Sequence, residues 1–258
     1  ESKAFTSFDC RPGQDDPLPF LVRQQFGFPE ARDALLNVHC PESPEKLAKA
    51  RERFIFEEFF LMQLAVYQRK AAFRSDTRTP IDIDHACVEQ VLNNFGYSLT
   101  ASQRDVLDAI LGDLCAPYRS SRLLQGDVGS GKTIVTLIAA FCVARAGHQV
   151  ALMVPTEVLA YQHQKTIERL SEGTGIKSAL LTSSTKAAER RKIIAGLESG
   201  DTGIVVGTHA LLNEQVSFKS LRFVIIDEQH RFGVYQRAVL GHKGDKPDIL
   251  VMSATPIP

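Results

Sequence analysis

Eight consecutive residues, Gly126-Asp127-Val128-Gly129-Ser130-Gly131-Lys132-Thr133, fit the pattern GxxxxGK[ST]. They lie between an apolar pair, Leu123-Leu124, and a run that reads as a helix from near Lys132. A triphosphate needs backbone amides turned inward from a loop without side-chain obstruction, together with the positive end of a helix. Glycines allow that approach. Lys132 would supply a cation for the outer phosphates, and the Thr133 hydroxyl would coordinate the accompanying magnesium. Chance would give this pattern in a chain of this length on the order of once in a hundred.

A second acidic anchor is expected at the carboxyl end of a neighbouring strand, and Phe223-Val224-Ile225-Ile226-Asp227-Glu228 offers one. A strand ending in two acids is explained as often by a capped turn. Paired with the loop, it reads as a nucleoside-triphosphatase site, with Asp227 holding magnesium and Glu228 orienting, or taking a proton from, the attacking water.

Such a site needs a sheet to carry it. Strand-like runs occur at Leu123-Leu124, Val150 to Val154, Ser178 to Leu181, Gly203 to Val206, Phe223 to Ile226 and Ile249 to Met252, with helical patterns between most of them. Apolar runs alternating with helices predict an α/β domain whose mostly parallel sheet is flanked by helices on both faces. Upstream, helices are expected from about Asp84 to Asn94 and from Thr100, as a cap, to Leu114. A long helix is expected from Pro44 to about Arg74, with Ser43 as its cap. It carries one apolar stripe at Ile55, Phe59, Met62, Val66 and Phe73 and another at Phe56, Phe60, Leu64 and Tyr67, which predicts two packing partners. Residues 1–43 are punctuated by Pro12-Gly13, Pro17, Pro19, Pro29 and Pro41 and read as a connecting segment with little core of its own.

Thirty basic and thirty acidic side chains balance in these 258 residues, so any nucleic-acid contact must be local rather than carried by a basic face. The run from Ile134 to Ala144 is too short for a bilayer and is stopped by Arg145, which predicts a buried helix and no membrane partner. The five cysteines form no CxxC pair and no signal pattern opens the chain, which together suggest a reducing cytoplasm. The absence of an initiating Met and the stop at Pro258, just after an apolar strand, suggest a piece of something longer.

Asp227-Glu228-Gln229-His230 is similar to the DExH box of superfamily 2 helicases, and other segments fall in that family's order. Leu99-Thr100 with Gln103 resembles the Q motif; Pro155 to Ala160 resembles motif Ia; Gly207 to Leu212 resembles motif Ib; Ser253-Ala254-Thr255 resembles motif III. The spelling of the phosphate loop, of Val224 to Val234, and of Asn37 to Glu42 resembles the RecG family over roughly residues 35–258. Transcription-repair coupling translocases are the nearest rival; they usually have Phe in place of Ser130 and Glu in place of Gln229.

The resemblance implies a helical connector at 44–98 and a first RecA-like motor domain at 99–258, with 1–43 a linker or tail of a preceding wedge domain. It implies ATP and Mg2+ as ligands and branched DNA, at forks and Holliday junctions, as partner. It also implies a second RecA-like domain and a wedge domain in the same parent chain. Gln103 would read adenine, while Gly126, Asp127, Val128, Gly129, Ser130, Gly131, Lys132 and Thr133 would hold the nucleotide. Thr156, Gln162, Thr208 and His209 would touch the DNA backbone, although threonines after strands commonly serve as helix caps. His230 would couple the acidic box to Ser253 and Thr255, or be an ordinary buried histidine. A nucleotide switch with no translocation remains the alternative of another class.

Overall fold

The computed structural model describes residues 16–75, 77–83, 85–96, 98–228, 240, 243–244 and 247–254. The chain divides into two compact units, Glu1–Ala72 and Phe73–Pro258.

In the first unit, α1 (Phe20–Phe26) and α2 (Ala31–His39) precede the long α3 (Pro44–Ser75). The Ser43 hydroxyl accepts from Lys46 N at 3.2 Å, so the expected cap is in place. The segment expected to be a plain connector instead folds into α1 and α2, because Pro19 and Pro29 precede helix starts rather than interrupt helices. It also has a core. Arg53 of α3, fully buried, donates to Pro29 O at 2.9 Å and pairs with Asp16 and Glu57. Asp16 in turn accepts from Leu18 N and Ala31 N, each at 2.9 Å. Phe56 packs against Phe26, Phe28 and Phe60, with ring centroids 4.9, 5.2 and 6.1 Å away. Of the two expected stripes only Phe56 and Phe60 take part in these ring contacts: Ile55, Phe59, Met62, Val66 and Tyr67 are all more than half exposed, Leu64 is exposed too, and the Phe73 side chain lies outside the described residues.

The second unit is a six-stranded sheet in which every pairing is parallel. Its strands are β1 (Ser121–Gln125), β2 (Gln149–Met153), β3 (Ser178–Leu181), β4 (Ile204–Gly207), β5 (Leu221–Ile226) and β6 (Asp248–Ser253), in the order β1-β6-β5-β2-β4-β3. The helices α4 (His85–Phe95), α5 (Ala101–Leu114), α6 (Lys132–Arg145), α7 (Glu157–Ser171) and α8 (Ala187–Ser199) complete it. Alternation along the strands splits the core in two. Val150, Leu152, Val206, Ile225 and Leu250 join α4 to α7 in one cluster, and Ala151, Met153, Val205, Val224 and Ile226 join Ile193 and Leu197 of α8 in the other. The expected buried helix is α6, whose residues 135–143 are all buried.

The α/β class, the parallel sheet and its strand positions agree with the sequence reading. One relation does not: β5 is not next to β1, because β6 lies between them. The acidic pair is therefore two strands away from the phosphate loop, and the neighbour of that loop is Ser253. Among the described residues, no helix is long and apolar enough to cross a membrane.

Candidate functional site

In a parallel sheet all carboxyl ends share one edge, and the segments singled out by sequence emerge there. The phosphate loop leaves β1, Thr156 follows β2, Thr208 follows β4, Asp227 follows β5, and Ser253 ends β6. Gly126 N donates to Ser253 O at 3.4 Å, which ties the loop to the strand between it and the acidic pair.

Gly129 and Gly131 have φ of 82° and 88°, conformations that side chains rarely adopt. At Gly131 a Cβ would also collide with the Gln103 side chain. The Lys132 ammonium folds onto the loop, donating to Gly126 O at 2.6 Å and Asp127 O at 2.7 Å. Val128 at the loop tip is 89% exposed, and Thr133 is exposed on the first turn of α6. A cleft of about 340 Å³ opens beside Gly129, Gly131, Lys132 and Thr133, with Thr166 and Arg169 of α7 on its far side.

Gln103 is more tightly engaged than a base reader alone would need to be. With Thr100 it forms a capping box: Thr100 Oγ1 accepts from Gln103 N at 3.3 Å, and Gln103 Oε1 accepts from Thr100 N at 3.0 Å. Its Nε2 donates to Ser130 O at 3.0 Å, so the start of α5 is fastened to the phosphate loop. An amide retains a second N–H and a second lone pair, which leaves it able to meet a base edge as well.

Asp227 and Glu228 sit at the end of β5. Asp227 N donates to Met153 O at 2.9 Å, extending the pairing with β2 by one residue. Its Oδ1 accepts from Glu228 N at 3.0 Å, and His163 Nε2 of α7 lies 3.3 Å from its Oδ2. Glu228 has φ 55°, the one positive value among described non-glycine residues. A glutamate held there is strained, and such strain concentrates at working sites. The donor set of hydroxyl and carboxylate oxygens fits magnesium, a hard cation. The glycine loop at a helix amino terminus fits a phosphate chain.

The candidate nucleic-acid residues fall into different environments. Thr156 caps α7, with Oγ1 accepting from Leu159 N at 3.3 Å. Gln162 is exposed on that helix. Thr208 is buried, and its Oγ1 has no hydrogen-bond partner among the described groups. His209 is exposed, its Nε2 3.3 Å from Ser183 Oγ. His230 and Thr255 lie outside the described residues; Ser253 is buried.

Three features went unread in the sequence. His163 shares the buried stripe Ala160, His163, Ile167 and Leu170 along α7, so its burial could have been read from spacing, whereas its place beside Asp227 is a long-range contact. Ser183 and Ser184, after β3, bridge the segments after β2 and β4. Ser184 donates to Glu157 from N at 3.1 Å and from Oγ at 2.9 Å, and those bonds hold the Glu157 carboxyl below its ordinary pKa. Nothing local in the sequence marks that bridge. The third feature is the place of Ser253 beside the phosphate loop, which depends on strand order.

Residues 100–258 match the DEAD/DEAH box helicase family. The chain is 46% identical over 244 residues to the ATP-dependent DNA helicase RecG of Bacillus subtilis (strain 168), covering 94% of this chain and 36% of that one. Against the same enzyme of Synechocystis the identity is 44%, over 94% of this chain and 29% of the relative. Among solved structures, that of RecG bound to a three-way DNA junction matches with a TM-score of 0.80 at 39% identity, over 95% of this chain and 33% of that one. The chain thus spans about a third of the length of these relatives.

Proposed function

The chain belongs to the DEAD/DEAH box helicase family, and from that premise we propose that it is the first motor half of a RecG-like enzyme that uses ATP to remodel branched DNA. The observation that carries this reading is the shared edge of the sheet. The phosphate loop, the strand ending at Ser253 and the Asp227-Glu228 pair lie side by side, and the segments after β2 and β4 continue the same edge. Branched DNA as partner rests on the likeness to RecG, whose solved structure holds a three-way junction.

In this reading the loop amides from Gly126 to Thr133 and the amino end of α6 receive the phosphates of ATP, and Gln103 meets the adenine edge with its remaining hydrogen-bonding capacity. Lys132 turns from the carbonyls of Gly126 and Asp127 to the outer phosphates. Mg2+, held through Thr133 and Asp227, neutralises charge on the phosphates when bound. Glu228 orients the attacking water and accepts its proton. Gln162 and His209 are the exposed groups for phosphodiester contacts, while Thr156 caps the helix that carries Gln162 and Thr208 immediately precedes His209. A few placed groups of this kind suit a chain of zero formal net charge. Ser253, with His230 and Thr255, would transmit the state of the acidic box to the phosphate loop.

The relatives' extra length leaves room for a second RecA-like domain whose arginines close the ATP site, and for a wedge domain that grips the branch point. The long α3 would be the helical connector toward them, its exposed stripe at Ile55, Phe59, Met62 and Val66 serving as a docking face.

The test uses the full-length protein and a labelled three-way junction. The expected result is ATP-dependent strand release from the junction in preference to a linear duplex. Lys132→Ala should abolish release, and Glu228→Gln should abolish it while leaving nucleotide bound. Strand release by Lys132→Ala at the unsubstituted rate would overturn the assignment of the loop.

A further inference from the structure

The acidic pair is approached from α7 by a side chain that the functional reading leaves unused. His163 is buried, its side chain 9% exposed, and its Nε2 lies 3.3 Å from Asp227 Oδ2; the Asp227 side chain is 17% exposed. The other carboxylate oxygen is already committed to Glu228 N. With its proton on Nε2, the imidazole completes a clamp in which both oxygens of Asp227 meet a donor, one from its own turn and one from a different element.

We propose that His163 is a positioning residue for the magnesium-binding carboxylate, holding Asp227 by an Nε2–H bond in the orientation that the metal requires. The proposal deepens the reading of this site as one for Mg2+ and ATP, and it rests on that reading.

An aspartate turns about two side-chain bonds, and an octahedral cation tolerates little error in ligand direction. A carboxylate fixed through both oxygens before the metal arrives loses less freedom on binding. Each oxygen keeps a further lone pair for the metal. Outer partners of metal ligands commonly contribute tenfold or more to metal affinity. The neighbouring side chains on α7 explain why the ring stays in place. Ala160 and Ile167 are buried on either side along the helix, and Gln164 is held by Glu168 and by Ser178 Oγ at 3.1 Å. The helix itself is fixed at its start by the Thr156 cap and the bonds from Ser184 to Glu157. Gln162, exposed and adjacent in sequence, lies on the same helix, so one rigid element carries both a candidate DNA contact and the support of the metal ligand.

The experiment compares His163→Met, which fills the space without a donor, with His163→Gln, whose amide can replace the Nε2–H, in the full-length protein. Binding of a fluorescent ADP is titrated with Mg2+ and repeated in EDTA, and thermal melting is recorded without metal. The proposal expects His163→Met to raise the Mg2+ midpoint about tenfold. It expects His163→Gln to stay within about twofold of the unsubstituted protein, with binding in EDTA and melting alike in all three. An unchanged midpoint in His163→Met overturns the proposal, as does an equal shift in both variants accompanied by equal loss of melting temperature, which is what a packing role would give. If the unsubstituted protein shows no Mg2+-dependent nucleotide binding, the reading of the site fails and this inference falls with it.

Discussion

Asp248→Ala is expected to destabilise the second unit severely, although the residue lies at the opposite edge of the sheet from the nucleotide loop. Asp248 opens β6 and pairs with Arg78; both side chains are 1% exposed. Its other oxygen accepts from Ser120 N at 2.8 Å and Ser120 Oγ at 2.7 Å. Burial pushes the carboxyl pKa up while Arg78 and Ser120 pull it back, as expected for a charge kept in the interior by its partners. Through Arg78 this pair fastens the stretch before α4 to the sheet, aided by Arg78 N to Pro117 O at 2.9 Å and Arg222 to Thr79 O at 2.5 Å. Removing one partner of a buried pair costs about 3–5 kcal/mol, because the surviving charge stays desolvated. For a unit of this size that corresponds to a fall in Tm of roughly 10 °C. Differential scanning calorimetry at neutral pH reads it directly. In Arg78→Met with Asp248→Ala the loss should be well below the sum of the single losses, since no charge is left unpaired. A fall of under about 2 °C for Asp248→Ala would refute the view that this pair anchors the segment.

The loop geometry predicts that Gly131→Ala weakens nucleotide binding about tenfold, because φ 88° strains any residue with a Cβ and the methyl group would push the Gln103 amide off Ser130 O; equilibrium binding of labelled ADP would measure it. On α3, Phe56→Asp should lower the melting temperature of the first unit by removing the half-buried ring that packs on Phe26, Phe28 and Phe60 and setting a carboxylate among them, whereas Phe59→Asp, at a position 60% exposed, should leave it nearly unchanged. Burial, reinforced by the charges of Arg222 and Arg78, lowers the pKa of His148 below 6.5. Its contribution is therefore intact above that value and is lost as pH falls from 6.5 toward the folded-state pKa. His148→Asn should flatten the decline of melting temperature between about pH 8 and about pH 5.5.

Much of the second unit was legible because its physics is local. Runs such as Phe223 to Ile226 and Val150 to Val154 are short and apolar at successive positions, which suits a strand covered on both faces, whereas the longer run in α6 suits a buried helix. The glycine loop declares itself by composition, and Thr100 declares itself as a helix cap, which the structure extends to a capping box with Gln103. Strand order is a long-range property, so β6 between β1 and β5 was not visible, nor was Ser253 beside the loop. His163 meets Asp227 across 64 positions of sequence, and Arg53 meets Asp16 across 37. The helices within residues 16–43 are hidden for a different reason: Pro19 and Pro29 look like breakers in the sequence, although proline is equally at home at a helix start.

On the proposed function, this chain supplies one wall of an ATP site that works only when a second domain closes on it. The direct measurement is phosphate release by the 258-residue chain and by the full-length protein, each with and without forked DNA. The chain alone should bind Mg2+ and ADP weakly and hydrolyse ATP about a thousandfold more slowly than the full-length protein, with no stimulation by the fork, since an arginine supplied from a second domain is worth about that much in reactions of this class. The full-length protein should turn over ATP and respond to the fork. Fork-stimulated turnover by the 258-residue chain at the full-length rate would contradict the account, because it would mean that the site is complete on one side of the cleft.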